Sequence, residues 1–149
     1  MRITRATPAA IAVLRQATAL RPKRKKASDG LLPSAAHMKA SPNSDHNTGF
    51  AVDLTHDPAN GIDCLDMFKK LREDKRVKYL IFQGRIWSQK NGEYPYTGSN
   101  PHNKHLHISI KDGHGNDVSA WFPWLGKAKV INKVKANLPK PLPKKKDTK

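Results

Sequence analysis

The stretch SDHNTGFAVD, residues 44–53, decides the fold because it joins a turn to a strand. Its second half alternates, with Phe50 and Val52 on one side of the chain and Ala51 and Asp53 on the other. Such alternation is typical of a strand with one buried face. The pattern therefore predicts Asp53 on the face opposite the hydrophobic core.

His46 precedes Asp53 by seven residues, which in a straight strand would separate them by roughly 23 Å. Two ligands of one metal ion must lie much closer, since each bond is about 2 Å long. Gly49 offers a solution, because glycine adopts a positive φ at little cost and the run NTG can form a turn. We expect this turn to fold His46 back beside the strand that carries Asp53.

A second stretch, HNKHLHISI at residues 102–110, also alternates. Leu106 and Ile108 share one face, while His105 and His107 project together from the other. His46, Asp53 and His107 would supply two imidazoles and one carboxylate, a set suited to one zinc ion with an open position for water. Zinc so held makes hydroxide available near neutral pH and polarises a carbonyl, which is the chemistry of amide hydrolysis.

The remaining patterns predict a small single α+β domain over residues 1–126, followed by a basic, partly disordered segment over 127–149. Its elements are an N-terminal helix over 8–20, loop over 27–43, a strand over 50–54, one long central helix over 58–75 capped by Asp57, a strand over 77–87, a loop over 88–101, the histidine strand, and a last strand or apolar plug over 118–125.

Composition limits the partners of the chain. Lysine and arginine total 28 against 12 acidic residues, a formal charge of +16, which favours anionic partners: nucleic acid, a membrane surface or a phosphate-bearing cell wall. The only cysteine, Cys64, excludes an internal disulfide and a thiolate-rich zinc site. Arg15 interrupts the N-terminal apolar run and no run reaches about 18 apolar residues, so we expect a soluble monomer made in a cytoplasm.

The run SDHNTGFAVD fits the pattern Ser-x-His-x-x-Gly-x-Ala-x-Asp and resembles the motif of the zinc D-Ala-D-Ala carboxypeptidases and the related L-alanyl-D-glutamate endopeptidases, which serve as phage endolysins. HLHIS at 105–109 is similar to the His-x-His strand that supplies their last ligand. The pieces SDG at 28–30, AAH at 35–37 and VDLTHDPANG at 52–61 are similar to small phage and prophage proteins of this superfamily. The resemblance covers roughly residues 8–111.

The resemblance implies the hedgehog/DD-peptidase fold, with an antiparallel sheet that holds one Zn²⁺ through His46, Asp53 and His107. It also implies cleavage of a peptidoglycan stem peptide or cross-link by a phage-derived endolysin. The protein would act on the cell wall, and the basic tail would bind an anionic wall or membrane surface. A holin-type partner is implied in the same way.

One position departs from the family, which commonly has Asp or Glu as general base three residues before the last ligand. Here that residue is Lys104, which in its usual charged state cannot accept a proton. His105 or His102 could replace the base. Alternatively, Lys104 could be desolvated beside the charge of the metal, or it could hold a substrate carboxylate or an oxyanion. The candidate substrate-binding residues are Arg24, suited to a forked grip on an anion, and Ser44, which begins the motif.

Three other functions compete with the peptidase. Charge, DHN and clustered histidines are also typical of metal-dependent HNH-like nucleases, but in those the last histidine lies on a helix soon after the first. HNT and HIS could be paired motifs of a metal-free phosphoesterase, although His46 lacks the apolar flanks expected there. A catalytically silent zinc protein that binds the cell wall is the third, and Lys104 favours it.

Overall fold

The computed structural model describes residues 6–33, 38–39, 41–98, 100–126 and 128–142. The first helix, α1, spans Pro8–Leu20, with Pro8 in its first turn and Thr7 as its N-cap, where the side chain accepts a hydrogen bond from the Ala10 N–H. Both features favour a helix start, as the sequence predicts. The apolar side of α1 is buried and lies against the first strand.

Five strands form one antiparallel sheet in the order β1-β5-β2-β3-β4. The strands are β1 (Ala51–Thr55), β2 (Val77–Phe82), β3 (Arg85–Ser88), β4 (Gly92–Pro95) and β5 (His105–Ile110). The predicted α+β class and antiparallel sheet are therefore confirmed. Beyond β1, Gly30 bridges to Asp53 and covers part of that edge.

The register of the sheet separates its two faces. Val52 of β1 pairs with Ile108 of β5, which pairs with Leu80 of β2, and all three side chains are fully buried. Helix α2 (Cys64–Lys70) packs against β2 and β5 on this face, and Trp121 and Phe122 complete the core as an apolar plug rather than a strand. The opposite face carries Asp53 and His107, which leaves the candidate site accessible.

The predicted long helix over 58–75 is wrong. The chain forms a 3₁₀ turn at Pro58–Asn60, then α2, then a second 3₁₀ turn at Leu71–Glu73. Gly61 has φ of 89° and cannot continue an α-helix there. A new helix starts after Asp63, whose Oδ1 accepts from the Leu65 and Asp66 N–H groups, so Asp63 caps α2 in place of the predicted Asp57.

The predicted single strand over 77–87 is also wrong, because it is a hairpin. Gln83 and Gly84 have φ of 48° and 73°, and two successive positive φ values are typical of the tight turn between antiparallel strands. The segment 88–101, predicted to be a loop, contains β4. Gln83 lies inside an apolar run, and such a run does not indicate a turn. Because the turn was not predicted, β3 and β4 were not predicted either.

The segment after Gly126 contains a helix that the composition did not predict. Helix α3 spans Ala128–Ala136 and lies against α1, and its Ile131 is buried. The carbonyl and N–H of Leu142 both bond to the Asn116 side chain. Lys127 and residues 143–149, the end of the predicted tail, lie outside the described residues.

Candidate metal centre

The turn predicted at residues 46–49 is confirmed. Residues Asp45–Thr48 form a 3₁₀ helix that ends at Gly49, which has φ of 79°. The Ser44 side chain caps this helix by accepting a hydrogen bond from the His46 N–H at 3.3 Å. The turn brings the His46 ring back over β1, where it is buried.

His46, Asp53 and His107 meet, as the sequence predicts. Asp53 and His107 are direct cross-strand partners on β1 and β5. The Oδ1 atom of Asp53 lies 3.2 Å from His46 Nε2 and 3.3 Å from His107 Nδ1. Because one ligand atom from each residue lies within 4.8 Å of the others, this triad could hold a metal ion.

The far nitrogen of each imidazole is fixed by a hydrogen bond. His46 Nδ1 donates to the Leu31 carbonyl at 2.9 Å, and since a carbonyl only accepts, the neutral ring presents a lone pair at Nε2. His107 Nε2 bonds to Ser109 Oγ at 2.8 Å, which leaves Nδ1 toward Asp53. Such outer partners are typical of histidines that bind metal.

When both imidazoles are neutral and turn their lone pairs toward Asp53, the three inward atoms form an acceptor set. Neutral imidazole lone pairs and a carboxylate oxygen 3.2 to 3.3 Å apart repel one another unless a proton or a cation is shared. Histidine nitrogens and carboxylate oxygens are ligands that divalent ions such as Zn²⁺ prefer, so this donor set fits such an ion. The residues therefore suit a metal, whose identity the geometry leaves open.

The charges of the triad are strongly coupled. Burial alone raises the pKa of Asp53, but its contacts with His107 and His46 hold that pKa well below the usual range. Burial lowers the pKa of His46, yet Asp53 outweighs it and the pKa of His46 is raised. Burial dominates at His107 and lowers its pKa. Without metal, His46 is therefore the partner that carries the proton toward Asp53.

Tyr79 forms the wall beside His107. Its ring stacks on the imidazole with centroids 5.3 Å apart and an interplanar angle of 12°. Burial raises the pKa of Tyr79 to about 12, so its hydroxyl stays neutral at physiological pH. The triad and this wall line a cleft of about 500 Å³, a volume within the usual range of small-molecule binding sites.

Two more histidines line the same cleft. His105 Nε2 lies 3.7 Å from Asp53 Oδ1, and its side chain is 17% exposed. His102 packs edge-on against His105 and His107, with centroids 5.0 and 5.6 Å apart. Its Nδ1 is buried without a hydrogen-bond partner, its φ is 60°, and burial lowers its pKa to about 4. Four histidines of the described chain thus surround one carboxylate.

The other predicted site residues do not all reach the cleft. Ser44 lines it, but its hydroxyl caps the His46 turn. Lys104 has an exposed side chain that does not line the cleft, and its carbonyl accepts from the His56 N–H. Arg24 is buried and pairs with Asp29 at 2.7 Å, outside the cleft. His37 lies outside the described residues.

Sequence reasoning missed the groups that orient the ligands. Leu31 acts through its backbone carbonyl, and Gly30 packs so closely that an added Cβ would lie 3.2 Å from Asp53 Oδ2. Asp29 accepts from Thr55, at the end of β1, while it pairs with Arg24. The motif SDG was the available signal, because its three residues run along the edge of β1.

Comparison with known proteins identifies one family. Residues 4–107, more than half of the chain, match the family described as VldE, C-terminal domain. The matched range includes all three residues of the triad and ends at His107. No curated protein and no solved structure has a significant match to the chain. The family description names neither a peptidase nor a metal, so the likeness to the DD-peptidases remains a prediction.

Proposed function

The chain belongs to the family of VldE C-terminal domains, and we propose that it is a zinc-dependent peptidase that hydrolyses an amide bond of the peptidoglycan stem peptide or cross-link. Its fold would then be of the hedgehog/DD-peptidase type, and its activity that of a D-Ala-D-Ala carboxypeptidase or an L-alanyl-D-glutamate endopeptidase. The sequence resemblance to phage endolysins supports a lytic role at the cell wall.

The observation that carries this proposal is the convergence of His46 Nε2, Asp53 Oδ1 and His107 Nδ1 at one end of an open cleft. Three protein ligands with an accessible remaining position are typical of catalytic zinc sites, whereas structural sites use four protein ligands. Bound zinc would lower the pKa of a water molecule and polarise the substrate carbonyl. Leu31 and Ser109 would keep both imidazoles in the orientation that this requires.

The general base in this proposal is His105. It neighbours the triad on the cleft face of β5, and its partly exposed ring can reach a water molecule beside Asp53. It would accept the proton of that water at an imidazole nitrogen and return it to the leaving amine. Lys104 is less suitable, since its side chain lies outside the cleft. His102 would pack behind His105 and limit its rotation.

The basic segment would concentrate the protein on an anionic envelope. Helix α3 exposes Lys129, Lys133 and Lys135, none of which pairs with a carboxylate of the described chain. Exposed charges of this kind attract polyanions through a field that salt screens within about 10 Å at 0.1 M. No described helix is long and apolar enough to cross a membrane.

The test combines metal content with amine release from purified peptidoglycan. The wild-type protein is expected to bind about one zinc and to release new amino groups. His46→Ala should lose both the metal and the activity. His105→Ala should keep the zinc and lose most turnover, by about 10² to 10⁴-fold for a general base. Lys104→Ala is the matched control on the neighbouring residue and should change neither quantity.

The same experiment separates the main alternative. Zinc bound without any amine release would favour a catalytically silent protein that binds the cell wall. A protein without zinc would overturn the proposed peptidase and also the metal assignment. If amine release survived His105→Ala but disappeared in Lys104→Ala, Lys104 rather than His105 would be the general base.

A further inference from the structure

The cleft face of the sheet continues beyond the histidines. His107 pairs with Ile81 of β2, Ile81 with Ile86 of β3, and Ile86 with Tyr94 of β4. Directly paired residues project from the same face, so these side chains form one row across four strands. Three strand spacings of about 4.8 Å place Tyr94 roughly 14 Å from His107.

This row is apolar in a strongly basic chain. Between His107 and Tyr94 it contains only Ile81, which is buried, and Ile86, which is half-buried. The next row on the same face carries Ser109, Tyr79, Ser88 and Gly92, which are all uncharged. A charged ligand segment would find no partner among these side chains.

Tyr94 is exposed at the end of this row. Three large apolar side chains of the described chain are exposed, and Tyr94, at 38%, is the aromatic one. Its strand is held from the other face, because Glu93 accepts from Arg85 at 2.9 Å and also pairs with Arg72. The ring therefore stands, partly exposed, on an edge strand that these contacts hold in place.

We propose that Ile81, Ile86 and Tyr94 form a shelf that binds an uncharged, non-reacting segment of the substrate while the scissile bond lies at the histidines. The segment is a stretch of the glycan strand, whose sugar C–H groups would pack on the aromatic ring of Tyr94. The inference rests on the proposed function, since it takes the same polymer as its ligand. It predicts that the protein prefers polymeric peptidoglycan to a short peptide that ends near the scissile bond.

Sedimentation with insoluble purified peptidoglycan tests the shelf without requiring turnover. Wild type, Tyr94→Ala and Tyr94→Phe, each loaded with zinc, are compared on ice in 1 M salt, where the Debye length is about 3 Å and surface lysines contribute little. Tyr94→Ala should bind about 2- to 10-fold more weakly, and Tyr94→Phe should bind as wild type does. Leu65→Ala, which truncates another exposed apolar side chain on α2, is the control and should have no effect.

Kinetics then distinguish this inference from the activity itself. For an active protein, Tyr94→Ala should raise KM on the polymer and leave kcat unchanged, while hydrolysis of a short stem peptide stays the same. Equal sedimentation of Tyr94→Ala and wild type, or no sedimentation of wild type, would overturn the shelf. Tyr94-dependent sedimentation without amine release would support the shelf and reject the peptidase. Peptide-free glycan strands should compete with this binding, and competition by free stem peptides alone would overturn the assignment.

Discussion

The two faces of the sheet use the same strands for opposite purposes. On the core face, Val52, Ile108 and Leu80 form a fully buried cross-strand row. One residue further along β1, Asp53 begins the row that continues through His107 on the cleft face. Apolar side chains need only exclude water, whereas buried imidazoles and a carboxylate each require a partner.

The difference means that one face specifies the fold and the other carries the candidate metal site. A register shift by one residue would exchange the faces, so the apolar row also fixes where the ligands lie. On the cleft face the protein supplies partners for the outer nitrogens of the histidines, from Leu31 and Ser109, while the inner nitrogens face the single carboxylate of Asp53. The asymmetry predicts that mutations on the two faces affect different measurements.

The largest effect is expected from Asp53→Asn. The amide lacks the negative charge that a carboxylate ligand offers to a divalent ion. Zinc affinity should therefore fall by more than about 100-fold, which exceeds the fall expected from losing a residue that only orients a ligand. Competition with a chelator of known affinity measures this. Asp66→Asn, which removes an exposed carboxylate paired with Lys70, is the matched control and should keep full affinity. Similar zinc affinities in Asp53→Asn and wild type would contradict the assignment of the triad.

Leu80→Ala should have the next largest effect, and it should affect stability alone. Its side chain is fully buried in the core row, and truncations of this kind cost about 2–5 kcal/mol of unfolding free energy. Ile86→Ala, in the half-buried cleft row, should cost roughly 1 kcal/mol. Urea unfolding without zinc measures both and removes any stabilisation by bound metal. Equal costs at the two positions would show that the cleft row packs as tightly as the core.

Ser109→Ala should weaken zinc binding without unfolding the protein. The hydroxyl bonds His107 Nε2 at 2.8 Å, and removal of such an outer partner typically lowers metal affinity by about 10- to 100-fold. The same chelator competition measures it. Ser88→Ala, on the same face but two strands away, is the control and should retain affinity. An unchanged affinity in Ser109→Ala would mean that stacking on Tyr79 suffices to orient the ring.

The sequence contained enough information to predict the triad but not its surroundings. Alternation around Asp53 and His107 determined their face, and Gly49 indicated the turn that returns His46. The Gln83 turn lies inside an apolar run, so the pattern predicts one strand where the chain forms the hairpin of β2 and β3. Gly61 lay inside a pattern with helical spacing, which concealed the break before α2. Leu31 contributes a carbonyl that every residue possesses, and its side chain therefore gave no indication of its role.

The smallest effect is expected at Cys64, which lies in the core beside β1. Its thiol is fully buried, donates to the Leu54 carbonyl at 3.4 Å, and burial raises its pKa from 9.0 to about 12. Above pH 9 the unfolded chain ionises this thiol and the folded chain does not. Its contribution to stability is therefore full below pH 9 and is lost as the pH rises toward 12, at about 1.4 kcal/mol per pH unit. Urea unfolding at pH 8 and pH 10 measures the loss, which Cys64→Ala should reduce. If that variant kept the full pH dependence of the unfolding free energy, another group would be its source. The buried thiol of the core face would then not explain the loss of stability at high pH.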